Sequence, residues 1–474
     1  MELPAEFVLV GGRVIDPAQG LDALGWVHVR DGTIARLGHI GESMPPVERV
    51  DAADLIVCPG LIDTHVHLRE PGFSHKETIA TGSSAAAAGG FTAVCCMPNT
   101  SPTLDDPQVL HWVQEEAARA GKCRVYAVAA ATRGRRGEQL VDFAALAAAG
   151  AVAFSDDGDG IESDEVCRKV LEACRGVDRP YMPHCEFKKL SDGGVMHAGH
   201  VSDGLQVPGY DPAAEEEMIA RDIALAEAAG ARLHVAHIST SIGIKLVRAA
   251  KARGARVTTE VCPHHLLLCD EDVVDANGYL DPNRKMSPPL RSADDVAACV
   301  AATRDGTIDC ICTDHAPHSA DEKARGFLKA PMGVVGLETS LACAALALLE
   351  RESRSDSSSA YQQPGAESAR AMGMLGRNQI ADKPRVFGWP QLIEKMSTRP
   401  AQILSLPGGS LRPGAQADIA LIDPQREWTV DPEAFLSKSR NTAFAGWPLR
   451  GKVVATLLRG RATFAERNFA DRAG

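Results

Sequence analysis

Eight short apolar runs, spaced by helical patterns, set the strongest limit on how this chain folds. They read "LIDTHVH", "FTAVCCMPN", "CRVYAVAA", "GAVAFSDDG", "PYMPHCE", "RLHVAHIST", "RVTTEVCPHH" and "IDCICTDHAP". Between several of them lie segments of helical periodicity, such as "SDEVCRKVLEACRG" and "AEEEMIARDIALAEAAG". Strands joined by helices pair in parallel, because the crossover returns the chain to the same end of the sheet. Eight such units predict an α/β fold, a (β/α)8 TIM barrel over residues 59–407. A doubly wound open sheet is the other arrangement the pattern allows.

The two ends of the chain read differently. Residues 1–58 contain "FVLVGGRVID" and "GWVHVRDGTIARLG", and residues 408–474 contain "ADIALIDP" and "GKVVATLLRGRATF". These are strands punctuated by Gly turns. They predict a small β-sandwich-like domain built from both ends. Gly11-Gly12 has neither a following helix nor the spacing of a phosphate loop, so a hairpin turn is expected there. Asp31-Gly32 is expected to turn a second hairpin. Residues 351–386, with "SRSDSSSAYQQPGAESAR", form a polar insertion of low complexity to which no chemistry is assigned.

Chemistry gathers where the barrel pattern would place an active site. The polar residues of the eight runs cluster at their C-terminal ends: His65, His67 and Arg69; Asn99; Asp156 and Asp157; His184; His237; Asp314, His315 and His318. The C-terminal mouth of a TIM barrel is where catalytic side chains converge. His65 and His67 alternate along one strand and share a face. Any one of these His residues could be a hydrogen-bonded barrel residue. Four His and two Asp at matching strand ends point instead to a metal site. Nitrogen and carboxylate donors without a Cys ligand suit Zn²⁺, with Mn²⁺ or Co²⁺ as replacements. The set suffices for one or two ions, because a carboxylate can bridge a pair.

Charge restricts the partners. The formal net charge of -12 disfavours nucleic acid and anionic membrane. An anionic substrate would then need a local cationic group to hold it. The N-terminus "MELPAEFVLVGGRVIDP" lacks a basic region followed by a long apolar run, so no signal peptide is read. The 13 scattered Cys predict reduced, buried thiols in a cytoplasmic protein.

The segments "DTHVHLREPG", "GGFTAVCCMPNT", "AVAFSDDG", "PHCE", "HVAHIST", "EVCPHHLLL", "TDHAPH", "KAPMGVVGLET" and "SKSRNTAFAGWPLRGKV" together carry a family resemblance. The chain resembles the class I dihydroorotases of the amidohydrolase superfamily, in the group without a carboxylated lysine, from about residue 59 to residue 453. The resemblance implies a zinc-dependent hydrolase of pyrimidine biosynthesis that interconverts N-carbamoyl-L-aspartate and L-dihydroorotate by attack of a metal-held hydroxide on a ring amide. It implies that His65 and His67 ligate one metal, His184 and His237 the second, and that Asp157 bridges them. Asp314 is implied as catalytic carboxylate and ligand beside the first metal. Arg69, Asn99 and His318 are implied as the grip on the substrate carboxylate. Asp156 is expected to make a structural hydrogen bond, His264 and His265 to pack behind the ligands, and His75 to lie in a loop. A homodimer and association with aspartate carbamoyltransferase are further implied.

Two positions depart from the family pattern. Ser287 in "MSPPLR" stands where Asn is usual, and Met332-Gly333 where Phe-Gly is usual. All three are expected at the substrate ring. The Ser version resembles dihydropyrimidinases (hydantoinases) and allantoinases, which remain the alternative cyclic amidohydrolase reading. Those relatives carry a metal-bridging Lys where this chain has "SDDG". The third reading is a non-catalytic scaffold partner of aspartate carbamoyltransferase. Such scaffolds lose metal ligands, and this chain keeps the full set.

Overall fold

The strand Ile419–Thr429 explains how the two ends of the chain meet the middle. Ile419 and Leu421 point into one hydrophobic core, and Ala420 and Ile422 into another. Alternation with a period of two means that both faces of this strand are covered. The strand Ile56–Pro59 beside it behaves in the same way: Ile56 and Cys58 face the core shared with Phe91 and Val94, and Val57 faces away.

This computed structural model describes residues 3–275, 277–349, 387–470 and 472. The polar insertion expected at 351–386 lies outside the described residues. Strands from both ends join in one eight-stranded sheet. Its order is Arg461–Ala465, Pro448–Leu458, Ile419–Thr429, Ile56–Pro59, Glu6–Asp16, Leu21–Arg30 and Thr33–His39, with Glu48–Asp51 also paired to Glu6–Asp16. Arg124, on a middle strand, forms an ion pair with Asp418 and so ties this sheet to the next.

The middle of the chain is parallel. Leu61–Val66, Phe91–Cys96, Arg124–Ala129 and Ala153–Phe154 form a four-stranded parallel sheet. Leu233–Val235, Val257–Val261 and Cys310–Ile311 form a three-stranded one. Single parallel bridges Phe154↔Tyr181 and Tyr181↔Leu233 link the two, and Val66↔His315 links their far edges. Helices between the strands start on side-chain caps: Ser163 before Asp164–Gly176 and Thr240 before Ser241–Ala252 each accept a backbone N–H.

Two local expectations change. Gly11-Gly12 is not a hairpin turn but a bulge inside the strand Glu6–Asp16, where the register with Leu21–Arg30 shifts between Val10 and Gly12. Gly11 has φ +84°, which favours glycine, and a Cβ on Gly12 would meet Val57 Cγ2 at 2.7 Å. The true turn is at Asp31-Gly32, with φ of 49° and 74°, as expected for a tight hairpin. The fifth run, "PYMPHCE", contributes only the bridge at Tyr181 and no continuous strand. Pro180 and Pro183 lack the N–H that a ladder needs.

Gly12→Ala should destabilise the protein by about 1–3 kcal/mol in urea unfolding, because Val57 is buried and cannot yield. Gly204→Ala, in the helix His200–Leu205 with nothing within 4 Å of the new Cβ, should be neutral or stabilise by up to about 1 kcal/mol. Equal losses for the two variants would contradict the close fit at the bulge.

Candidate metal centre

The strand Leu61–Val66 ends just before His67, and its alternation puts Asp63, His65 and His67 on one side. His65 is fully buried. Its Nδ1 lies 2.9 Å from Glu260 Oε1. An ionised carboxylate only accepts, so the proton sits on Nδ1 and leaves Nε2 as a lone pair. That Nε2 faces Asp157 Oδ1 at 3.2 Å and Asp314 Oδ1 at 3.6 Å, yet in no hydrogen-bond geometry.

His67 follows the same logic. Asn99 Nδ2 donates to Asp157 Oδ2 at 3.2 Å, which turns Asn99 Oδ1 toward His67 Nδ1 at 2.8 Å. The Nδ1 proton is thereby fixed, and His67 Nε2 faces Asp314 Oδ1 at 2.9 Å and Asp157 Oδ2 at 3.6 Å. On the other side, His184 Nε2 donates to Glu186 Oε2 at 2.9 Å. His184 Nδ1 is left facing His237 Nε2 at 3.0 Å, and that nitrogen is 3.9 Å from Asp157 Oδ1. Lone pairs set against carboxylates repel unless a cation stands between them. The donor set therefore fits a divalent metal centre, and His65, His67 and Asp314, or His65, Asp157 and His237, present donor atoms within 4.8 Å of one another.

The electrostatics show the same demand for positive charge: burial pushes His65 down, but Asp157, Glu260 and Asp314 outweigh it and raise its pKa well above the ordinary value, so a proton competes with a metal for the Nε2 lone pair. Burial pushes Asp157 up, but His65 and His237 hold it well below the usual carboxylate range. Burial also pushes Glu260 up, and hydrogen bonds from His234 and His65 hold it well below that range. Asp314 is treated the same way by His67 and His65. All three stay ionised inside the protein.

A cavity of about 640 Å³ opens above these groups, with His67, Asn99, Asp157, His184, His237 and Asp314 in its wall. Arg69, Ser287, His318, Met332 and Gly333 line the same cavity. Of the residues expected as metal ligands or substrate contacts, His65 alone is absent from the wall; Asp156, His264, His265 and His315 do not line it either. Arg69 does not continue the pleat from His67: it stands beyond the strand end with φ +62° and reaches the cavity through a turn. Burial lowers its pKa to about 10, so the guanidinium remains charged. It lies 3.4 Å from His318 Nε2, which donates to the carbonyl of Met332 at 2.8 Å. Burial and the neighbouring Arg69 and Lys76 push His318 down to about 3, so its ring is neutral. Gly333, with φ +132°, is required because a Cβ would meet Ala316 Cβ at 2.7 Å and His318 Nε2 at 3.1 Å. His237 and Asp314 also hold positive φ, at 30° and 45°. Three strained non-glycine residues at one cavity mark a site that its surroundings over-determine.

Comparison with known proteins agrees with the geometry. A family model described as dihydro-orotase-like matches residues 54–242. A dihydroorotase from Syntrophus aciditrophicus is 42% identical over 462 residues, covering 97% of this chain and 100% of the relative. One from Pelotomaculum thermopropionicum is 44% identical over 463 residues, covering 98% and 99%. The chain belongs to the dihydroorotase family. Among solved structures, an L-hydantoinase from Arthrobacter aurescens superposes with a TM-score of 0.79 at 22% identity, covering 98% of this chain and 97% of its own. That likeness shows the fold, a barrel-type α/β domain with an attached β-domain.

Several residues of this dihydroorotase-family site escape a sequence reading. Glu260 takes His65 Nδ1, His234 Nε2 at 3.1 Å and the Thr64 hydroxyl. Glu186 takes His184, Ser191 and Lys188. Glu77 gathers His315, the Ser437 hydroxyl and the Lys438 N–H. Glu260 and Glu186 sit in strand-like runs, where a buried carboxylate needs a partner, but the run does not name that partner; Glu77, in "SHKET", carries no such signal. Asp156 accepts from the N–H groups of Ala131 and Thr132 and from the Thr132 hydroxyl, the structural bond expected of it. His75 is exposed in a loop, also as expected.

Glu260→Gln should weaken divalent-metal binding roughly 10- to 100-fold while the protein stays folded. Chelator competition measures this, and an unchanged affinity would remove Glu260 from the support of His65.

Proposed function

We propose that this chain is a dihydroorotase, which catalyses the reversible cyclisation of N-carbamoyl-L-aspartate to L-dihydroorotate. We also propose that its eight parallel runs close into a (β/α)8 barrel over 59–407, with 1–58 and 408–474 as the second domain. The observation that carries the function is one cavity holding both the His and Asp donor set and a half-buried, charged Arg69. A neutral cyclic ureide needs only the first. A ring bearing a carboxylate needs both.

In this reading His65, His67, Asp157 and Asp314 would hold one cation, and His184, His237 and Asp157 would hold a second. Bound zinc would polarise the ring amide carbonyl and make water a nucleophile near neutral pH. Arg69 forks the substrate carboxylate, Asn99 and His318 flank it, and the ring is thereby fixed against Asp314. Ser287, Met332 and Gly333 form the wall on the ring side. Asp314 is ionised and so accepts a proton on its carboxylate in ring opening, then returns it to the departing ring nitrogen. Cyclisation runs the same transfers backwards.

The hydantoinase alternative has one feature in its favour, Ser287, and one against it: this chain has no lysine at the "SDDG" segment, where that reading calls for one. Turnover of dihydroorotate, dihydrouracil and allantoin measured side by side separates the readings. Dihydroorotate alone should react, and a preference for dihydrouracil would overturn the assignment. Arg69→Met should raise KM for dihydroorotate roughly 10- to 100-fold, the worth of a lost charge-assisted hydrogen bond. Asp314→Asn should lower kcat by at least about 100-fold. An unchanged KM or kcat would remove the respective role.

A further inference from the structure

The end of the strand Val257–Val261 carries donors that the proposed reaction does not use. Cys262, His264 and His265 are buried, and their donor atoms lie within 4.8 Å of one another. His265 Nε2 donates to the carbonyl of Pro288 at 3.1 Å. A carbonyl only accepts, so the proton is on Nε2, and Nδ1 carries a lone pair. Burial and the adjacent His264 push His265 well below its ordinary pKa, which keeps that lone pair free. His265 Nδ1 has no hydrogen-bond partner, and neither has His264 Nε2. Buried polar nitrogens are normally satisfied, so two orphans beside a thiol call for a ligand.

We propose that Cys262, His264 and His265 form a further metal site, for a borderline-soft divalent cation such as Zn²⁺. One sulfur and two imidazoles are a zinc-type donor set, and they disfavour hard cations such as Mg²⁺ and Ca²⁺. The donors are chemically distinct from the centre at the cavity, which is built of nitrogen and oxygen. Cys312 Sγ stands 3.5 Å from Cys262 Sγ and adds a second soft atom beside the first. Through His265 and Pro288, a cation here would steady the segment that carries Ser287 into the cavity wall. The site does not depend on the identity of the substrate.

The test uses the full chain, stripped with a chelator and titrated with Co²⁺. Thiolate ligation gives a near-ultraviolet sulfur-to-cobalt charge-transfer band that nitrogen and oxygen ligands cannot give. The band should appear in the wild type, disappear in Cys262→Ser, weaken in His265→Ala and persist in Cys310→Ser. Metal analysis after loading should find one equivalent more in the wild type than in Cys262→Ser. No band at any loading, a band that survives Cys262→Ser, or equal metal content would each overturn the site. The readouts involve no turnover, so they stand apart from the dihydroorotase reading.

Discussion

Glu260 against His65 is the contact on which the rest of the site depends. Both side chains are fully buried, and the 2.9 Å contact between them decides which imidazole nitrogen keeps its proton. Because Nδ1 is committed to Glu260, Nε2 must face Asp157 and Asp314. Because those carboxylates are buried, they need positive charge close by. His234 and Thr64 complete Glu260 and hold it in place. Glu186 does the same for His184 on the opposite side. The centre thus uses one rule twice: a carboxylate behind His65 and another behind His184 each aim a lone pair forward, and the Asn99 amide oxygen does the same for His67.

The second constraint is anion binding in an acidic protein. With a formal net charge of -12, the global field repels a carboxylate substrate. Arg69 opposes that field locally, at the wall of the cavity and next to a neutral His318. In the proposed clamp the positive φ of Arg69 matters: the chain leaves the pleat at this residue, and its side chain lines the same cavity as the donors.

Much of this was legible in the sequence because it rests on parity and position. His65 and His67 alternate, and the other donors sit at strand ends, so convergence follows from a parallel fold. Two things were not legible. Glu260 lies in "VTTEVC", where Thr258, Glu260 and Cys262 share a parity, but parity does not say which face looks inward. The run "PYMPHCE" read as a strand because its apolar content is right, while its prolines withdraw the donors a ladder needs. Gly11-Gly12 was ambiguous for a related reason. A bulge and a turn both need glycine, and only the partner strand, with Val57 packed against Gly12, decides between them.

The central claim is that a buried set of lone pairs and carboxylates holds the divalent metal on which amide chemistry depends. Turnover of dihydroorotate measured against metal content, in protein stripped by a chelator and reloaded in steps, tests it most directly. Activity should vanish on stripping and return in proportion to the metal bound. Undiminished turnover in protein free of divalent metal would contradict the claim.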